Sequence, residues 1–390
     1  MADVFLEKGK GLRVELGHPW VYKNEIKKIK GQFEDGDIVD VYNFKKKFIG
    51  KGFINTKSQI TVRIISRNKN EIIDKNFFRE RVKTAIDLRK SLGLKTNCRL
   101  IFAEADFLPG LIVDSFNDVL VMQVLSLGME KVKGHIINAL IEEVSPTAIY
   151  ERNDVKVREL EGLSQNVGFV YGNSPTKLII KENDVNIIVD IENGQKTGYF
   201  FDQRDNRLAL KNYVYEAYVL DCFCHTGSFA LNAAKFGAKK VIGVDISEIA
   251  INQSIENAKL NNLDDKCEFI EANVFDYLKE LDEKKEKFDV IILDPPAFAK
   301  NMAAIEGAKR GYKEINLRAM KLLKKGGFLV TCSCSHYMKP DLFMDVIKSA
   351  AFDCKKNLKL IEYRYQAKDH PYLIGYDESL YLKCYIFQVL

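Results

Sequence analysis

The stretch YVLDCFCHTGSFALNAAKFGAKKVIGVD, residues 218–245, decides the fold. An apolar run ends in Asp221, a turn of mostly small residues spans Cys222 to Gly227, and a helix follows. A second apolar run, Val241 to Val244, ends in Asp245. Strand, turn, helix and strand with a terminal carboxylate make the first βαβ unit of a nucleotide-binding sheet. Such a turn lets a ligand approach backbone N–H groups and a helix N-terminus, while Asp245 stands where a ribose diol needs an acceptor. The G-x-G-x-x-G pattern of dinucleotide sites is absent. A D-x-F-x-x-T-G-S-F turn, with an acid 24 residues after the first, fits S-adenosylmethionine better. An ordinary βαβ unit without a ligand is the competing reading.

Downstream the alternation is regular. Strands are expected at 218–221, 241–244, 267–270, 288–293 and 327–333, then near 358–363 and 380–389. Helices are best marked at 226–236, 247–261 and 312–324. Seven strands with intervening helices predict a doubly wound, Rossmann-like α/β sheet. The last run, LYLKCYIFQVL, follows its predecessor without a clear long helix, so an antiparallel insertion near the sheet edge is expected.

Ligands of such sheets bind beyond the carboxyl ends of the strands, where three segments carry chemistry. In EANVFDYL (271–278), Asn273 or Asp276 can hydrogen-bond adenine while Val274 or Phe275 packs on the ring; Asp276 can equally cap the next helix. In VIILDPPAFAK (290–300), two prolines fix the backbone after Asp294 and direct a carboxylate, the Pro295 carbonyl and Phe298 towards one pocket. A base can stack on Phe298 there with its amino edge on Asp294 or Pro295, although Asp-Pro-Pro also serves simply to stop a strand. In GGFLVTCSCSHYM (326–338), Cys332 and Cys334 lie two apart and share a strand face, with Cys334 nearer the exposed end. A thiolate adding to C6 of cytosine turns C5 into an enamine-like carbon that accepts a methyl group. Because a free thiol is mostly protonated at neutral pH, a nearby charge or dipole is expected to help it. Small buried strand residues are the alternative. A zinc site is not expected: no C-x-x-C pair occurs, and Cys222 and Cys224 fall inside the cofactor turn.

Upstream, the hairpin LIIKENDVNIIVD (178–190) leads into GQKTGYFFDQRDNR (194–207), a dense polar cluster that opens a helix. It is read as a flap touching the cofactor, with Gln203 among its contacts; a well-capped surface helix is the alternative. Residues 71–177 read as a compact α+β segment: an amphipathic helix at 77–93 closed by Gly93, strands at 99–103, 119–124 and 148–151, a turn at 107–114, and a helix at about 130–143. Residues 1–70 read as short strands broken by turns, the pattern of a small β-barrel. Its tryptophan, Trp20, is the only one in the chain and serves either as a base-stacking surface or as a core anchor.

The 390 residues, 46% hydrophobic and 29% charged, suit a multi-domain globular protein. There is no apolar signal region and no run of membrane-spanning length, and the eight cysteines are too sparse for a disulfide framework, so a reduced cytoplasmic setting is expected. Net charge is +5, but residues 1–67 hold 14 Lys and Arg against 8 Asp and Glu, +6, leaving the rest at −1. A basic module on a near-neutral body points to a polyanion such as a phosphate backbone, against the plainer reading of a solvated lysine-rich surface.

HPWVY, FAEADFLPGLIVD, IYERND, KTGYFFDQRDNR, DCFCHTGSFA, DPPAF and SCS, in this order, make the chain resemble the RlmI-like class I methyltransferases, which form 5-methylcytosine in large-subunit (23S) ribosomal RNA. The resemblance runs nearly end to end. It implies a PUA-like RNA-binding barrel at 1–70, a central α+β domain at 71–177 and an S-adenosylmethionine-dependent methyltransferase domain at 178–390. It also implies cofactor contacts from Phe223, Gly227, Asp245, Asn273 and Asp294, a nucleophile at Cys334, and 23S rRNA as partner; Asp294 is expected beside the methyl donor. Thr331-Cys332-Ser333 also looks like the TCS of other RNA cytosine methyltransferases, so Cys332 stays open as the nucleophile. A homodimer is compatible with these features. Two rival functions remain: RNA N-methylation without a covalent step, and a non-catalytic RNA-binding or assembly role.

Overall fold

The computed structural model describes residues 2–299 and 301–390. The chain divides into two compact units: residues 1–178 with 189–201 and 368–379, and residues 179–188 with 202–367 and 380–390.

The first unit holds two sheets. One has six strands in the order Trp20–Tyr22, Ile60–Ser66, Phe48–Ile54, Ile38–Tyr42, Asp3–Leu6, Ile26–Lys30. Alternation puts Val4, Leu6, Val39 and Val41 into its core and the residues between them, Phe5 and Asp40, on the other face. The two glycines of Phe48–Ile54 permit a close strand approach: a Cβ on Gly52 would stand 2.3 Å from the Arg63 carbonyl oxygen. The other sheet has five strands in the order Val167–Gly172, Ala148–Arg152, Val119–Val124, Leu111–Phe116, Cys98–Phe102. Helices Lys75–Ser91 and Lys133–Val144 contribute Phe78, Val82, Ile136 and Leu140 to its core.

Two sequence expectations change in this unit. The turn at 107–114 shrinks to the Phe107–Gly110 corner, both ends of which have positive φ, and Leu111 onward is a strand with Leu111, Val113 and Phe116 fully buried. Val167–Gly172 was not foreseen: it buries no side chain and joins only through antiparallel pairing with Ala148–Arg152, so it leaves no hydrophobic signature. The hairpin Lys177–Glu182/Val185–Asp190, whose residues 179–188 belong to the second unit, turns at Asn183 and Asp184, both with positive φ, as a tight two-residue hairpin requires.

The second unit is built on a seven-stranded sheet. Its strands are β1 (Tyr218–Cys222), β2 (Lys240–Asp245), β3 (Cys267–Glu271), β4 (Phe288–Leu293), β5 (Leu323–Ser333), β6 (Leu358–Arg364) and β7 (Lys383–Val389). Their order is β3-β2-β1-β4-β5-β7-β6. The first five run parallel, and β7 inserts antiparallel between β5 and β6. Helices α1 (Arg204–Ala209), α2 (Ser228–Lys235), α3 (Glu248–Leu260), α4 (Val274–Glu283), α5 (Ile305–Leu322) and α6 (Pro340–Asp353) accompany it. The order reverses at β1, whose neighbours are β2 and β4, and that reversal opens a crevice at their carboxyl ends. The core beneath is apolar, with Leu220, Val244, Ile291, Leu293, Tyr312, Leu329 and Phe343 buried. Among the described residues, no helix is long and apolar enough to cross a membrane.

Candidate functional site

The turn after β1 is shaped by three left-handed residues, Phe223 (φ 63°), His225 (φ 50°) and Gly227 (φ 80°). Its carbonyls are held from α3: Ser254 Oγ donates to His225 O at 2.9 Å and Asn257 Nδ2 to Thr226 O at 3.1 Å. Gly227 is required twice over, by its φ and because a Cβ would stand 3.0 Å from the Phe269 ring and 3.1 Å from Ser254 Cβ. Asp245, at the end of β2, accepts from His225 N at 2.9 Å through one oxygen and from Ser247 N at 3.0 Å through the other. Its position is therefore fixed by backbone on both sides.

Three carboxylates converge here. Asp221 is fully buried; burial first, then Asp294 and Asp245, push its carboxyl well above the usual range. One oxygen accepts from Ala230 N at 2.9 Å, and the other has no hydrogen-bond partner among the described residues. Asp294 accepts from Gln203 Nε2 at 2.9 Å, and Gln203 Oε1 in turn accepts from Asn206 at 2.7 Å. The polar cluster at 202–207 is thus largely buried because its groups pair, with Arg207 also donating to both oxygens of Glu182 at 2.6 and 2.9 Å.

Phe223, Phe275 and Phe298 face one another with centroids 6.1–6.5 Å apart. Phe275 and Phe298 line a concavity of about 470 Å³ with Ala303, Ala304, Gly307, Ala308, Arg310 and Gly311. Asn273 is exposed and caps α4, its Oδ1 accepting from Phe275 N at 2.9 Å. The cap is therefore Asn273 and not Asp276, which leaves the Asn273 amide NH₂ free to meet a ligand.

The two cysteines of β5 separate clearly. Cys332 is fully buried, opposite Cys384 in the antiparallel register of β7. Burial and the Cys384 thiol push its own thiol well up. Cys334 lies one residue past the strand end and is half-buried, its thiol 3.9 Å from the Pro295 carbonyl oxygen. Cys334 reaches the Pro295 carbonyl, whereas Cys332, fully enclosed, lies on the side of Gln203 and Asp294. Shared strand parity does not survive because the strand stops between the two. Ser335 then ties three elements together: its Oγ accepts from Ala299 N at 3.2 Å and meets the Tyr312 hydroxyl at 3.2 Å, and its carbonyl accepts from Lys383 Nζ at 2.7 Å. Sequence reasoning missed Tyr312, Ser335 and Lys383; a lysine in the buried strand β7 was the only visible clue.

Trp20 is partly exposed and tied into the protein by its polar edge. Its indole N–H donates to Glu104 Oε1 at 2.7 Å, its ring packs edge-on against Tyr376 at 5.0 Å, and the Arg63 guanidinium lies 5.5 Å from it. Arg63 bridges Glu104 and Glu161 at 3.1 and 2.9 Å, so Trp20 anchors a buried charge cluster. Among the described residues, no group of three or more His, Cys, Asp or Glu is arranged to hold a metal ion.

Comparison with known proteins follows the same lines. A PUA-like domain model matches residues 4–67, and a methyltransferase domain model matches residues 216–373. The chain is 43% identical to the ribosomal RNA large subunit methyltransferase I of Pseudoalteromonas translucida, over 99% of both chains. It is 44% identical to that of Aeromonas salmonicida, over 97% of both. In fold, it matches a Streptococcus mutans protein assigned as a SAM-dependent methyltransferase over the whole of both chains (TM-score 0.85, 21% identity). A second such structure, solved in complex with SAH, also matches over its full length, with TM-score 0.86 and 21% identity.

Proposed function

The chain belongs to the ribosomal RNA large subunit methyltransferase I family, and from that premise we propose that it makes 5-methylcytosine in large-subunit rRNA through a cysteine adduct. The carrying observation is the contrast between Cys334, which meets the proline corner, and Cys332, which is sealed inside the sheet.

The crevice fits S-adenosylmethionine on its own chemistry. A sulfonium and an ammonium suit a crevice edged by Asp245 and Asp294, with the buried Asp221 carboxyl, whose pKa burial raises, beside them. Phe223, the Gly227 turn, Asp245, the Asn273 amide and Gln203 with Asp294 would hold it, and when bound it supplies an electrophilic methyl group.

The protein's own part follows from the corner. A cytosine flipped from RNA stacks on Phe298, with its amino edge towards Asp294 and the Pro295 carbonyl. Cys334 loses its proton to solvent and its sulfur bonds to C6; the C5–C6 π electrons move to C5, which takes the methyl group. A base, with solvent as the final acceptor, then takes the C5 proton; the C5–H electron pair re-forms the C5–C6 double bond, the S–C6 bond breaks, and the thiolate leaves with its electron pair.

We assign docking on RNA to the segments 1–70 and 71–177 and chemistry to 178–390, with the cytoplasm as the setting; a homodimer is the assembly to check by sedimentation. The test is nucleoside mass spectrometry on rRNA treated with each cysteine variant. Cys334→Ala should abolish 5-methylcytidine, while Cys332→Ala should keep it. Wild-type yield from Cys334→Ala, or a product methylated on nitrogen, would overturn the proposal.

A further inference from the structure

Lys383 is the first residue of β7 and is 3% exposed. Its ammonium donates to two carbonyl oxygens, Ser335 O and Tyr381 O, both at 2.7 Å. An ammonium has three donors, and among the described residues the third has no hydrogen-bond partner. Among the described residues, no carboxylate pairs with this buried charge. Burial pushes its pKa down to about 8, opposed by the thiol of Cys334, while Lys339 adds to the lowering. A buried cation without an acid partner is costly unless an anion arrives in the working state. The rest of β7 is buried and mostly apolar (Cys384, Tyr385, Ile386, Phe387), so an uncharged residue would suit the position better if packing were its only role.

Among the described residues, Cys334 is the group able to become an anion whose charge acts on this ammonium. Lys383 sits opposite Ser333 in the β5–β7 register, one residue before Cys334, and its bond to Ser335 O grips the residue just after it. We propose that Lys383 is a positioning residue for Cys334: its buried ammonium holds the thiol in place and stabilises the thiolate. This rests on the covalent reading above. No further reactant is needed, since the proton leaving Cys334 Sγ passes to solvent and the ammonium keeps its own three. Other titratable groups near Cys334 in space or in sequence are Tyr312 from α5, Cys332 from β5, and His336 and Lys339 from the segment before α6, with Asp294 next to the Pro295 whose carbonyl the thiol meets. Among the described residues, Lys383 alone combines positive charge, burial and a direct hydrogen bond to the cysteine's own segment.

The test is the pH dependence of Cys334 alkylation by iodoacetamide on the full chain without RNA, followed by peptide mass spectrometry. The wild-type midpoint is expected about one pH unit or more below the ordinary thiol value of about 8.5. Lys383→Gln, which can still donate to the carbonyls but carries no charge, should raise it by about one unit. Lys383→Arg should restore most of the shift. The low-pH limb of kcat/KM should move with it while KM for RNA stays put, a split that loss of packing alone does not produce. A wild-type midpoint at or above about 8.5, or an unchanged midpoint in a folded Lys383→Gln, overturns the proposal. Should that variant fail to fold, the wild-type midpoint decides. Because alkylation needs no turnover, a Lys383-dependent midpoint in an enzyme indifferent to Cys334→Ala would sink the covalent mechanism and leave the pairing intact.

Discussion

At the scale of single residues, the site is governed by what burial does to ionisable groups. Cys332 and Cys334 share a tripeptide, yet one is fully enclosed and the other touches the Pro295 carbonyl. Replacing Cys334 by Ala should lower single-turnover methylation at least about a thousandfold, whereas Cys332→Ala should change it by no more than about threefold. Asp221 gives a second prediction. Its folded pKa lies well above the unfolded value, so the native state binds more protons than the unfolded chain between the two values. The stability associated with its neutral form is intact below about pH 4 and is lost as pH rises through the folded pKa. Asp221→Asn keeps the shape without the charge. It should flatten that decline, with denaturant midpoints at pH 7 to 8 above wild type while cofactor affinity falls. A variant whose stability runs parallel to wild type across pH would refute the assignment.

At the scale of elements, strand ends and their turns place the chemistry. The Gly227 turn works only with a left-handed residue lacking a side chain, since a Cβ there meets Phe269 and Ser254. Gly227→Ala should destabilise the protein by about 1–3 kcal/mol and weaken cofactor binding, read by thermal unfolding and calorimetry. The strands of this sheet were legible in the sequence because parallel strands buried on both faces are continuous apolar runs ending in conspicuous acids, such as those closing at Asp221 and Asp245. Val167–Gly172 was not legible because it buries nothing. The capping role of Asn273 was not legible, and Asp276 stood as the cap candidate, because a cap and an adenine donor look alike until the helix start is fixed. Tyr312, Ser335 and Lys383 escaped because their roles come from hydrogen bonds between segments tens of residues apart, which no local pattern records.

At the scale of the molecule, the charge asymmetry has a physical consequence. Of the six-stranded sheet, the strand Ile26–Lys30 exposes Lys27, Lys28 and Lys30, and the loop at 44–47 exposes three more lysines. If these meet phosphate, replacing Lys27, Lys28 and Lys30 by Gln should reduce the slope of log affinity against log salt for rRNA by roughly two to three. Affinity would then fall without a change in the modified nucleoside, and an unchanged slope would remove this face from the RNA contact. The central claim, however, is the bond between Cys334 and the target base. Its most direct test is peptide mapping of the complex formed on rRNA carrying 5-fluorocytidine, whose C5 has no proton to surrender. A denaturation-stable adduct on the peptide containing Cys334, dependent on the methyl donor, is the predicted result. An adduct on Cys332, or no adduct alongside normal methylation of ordinary rRNA, would contradict it.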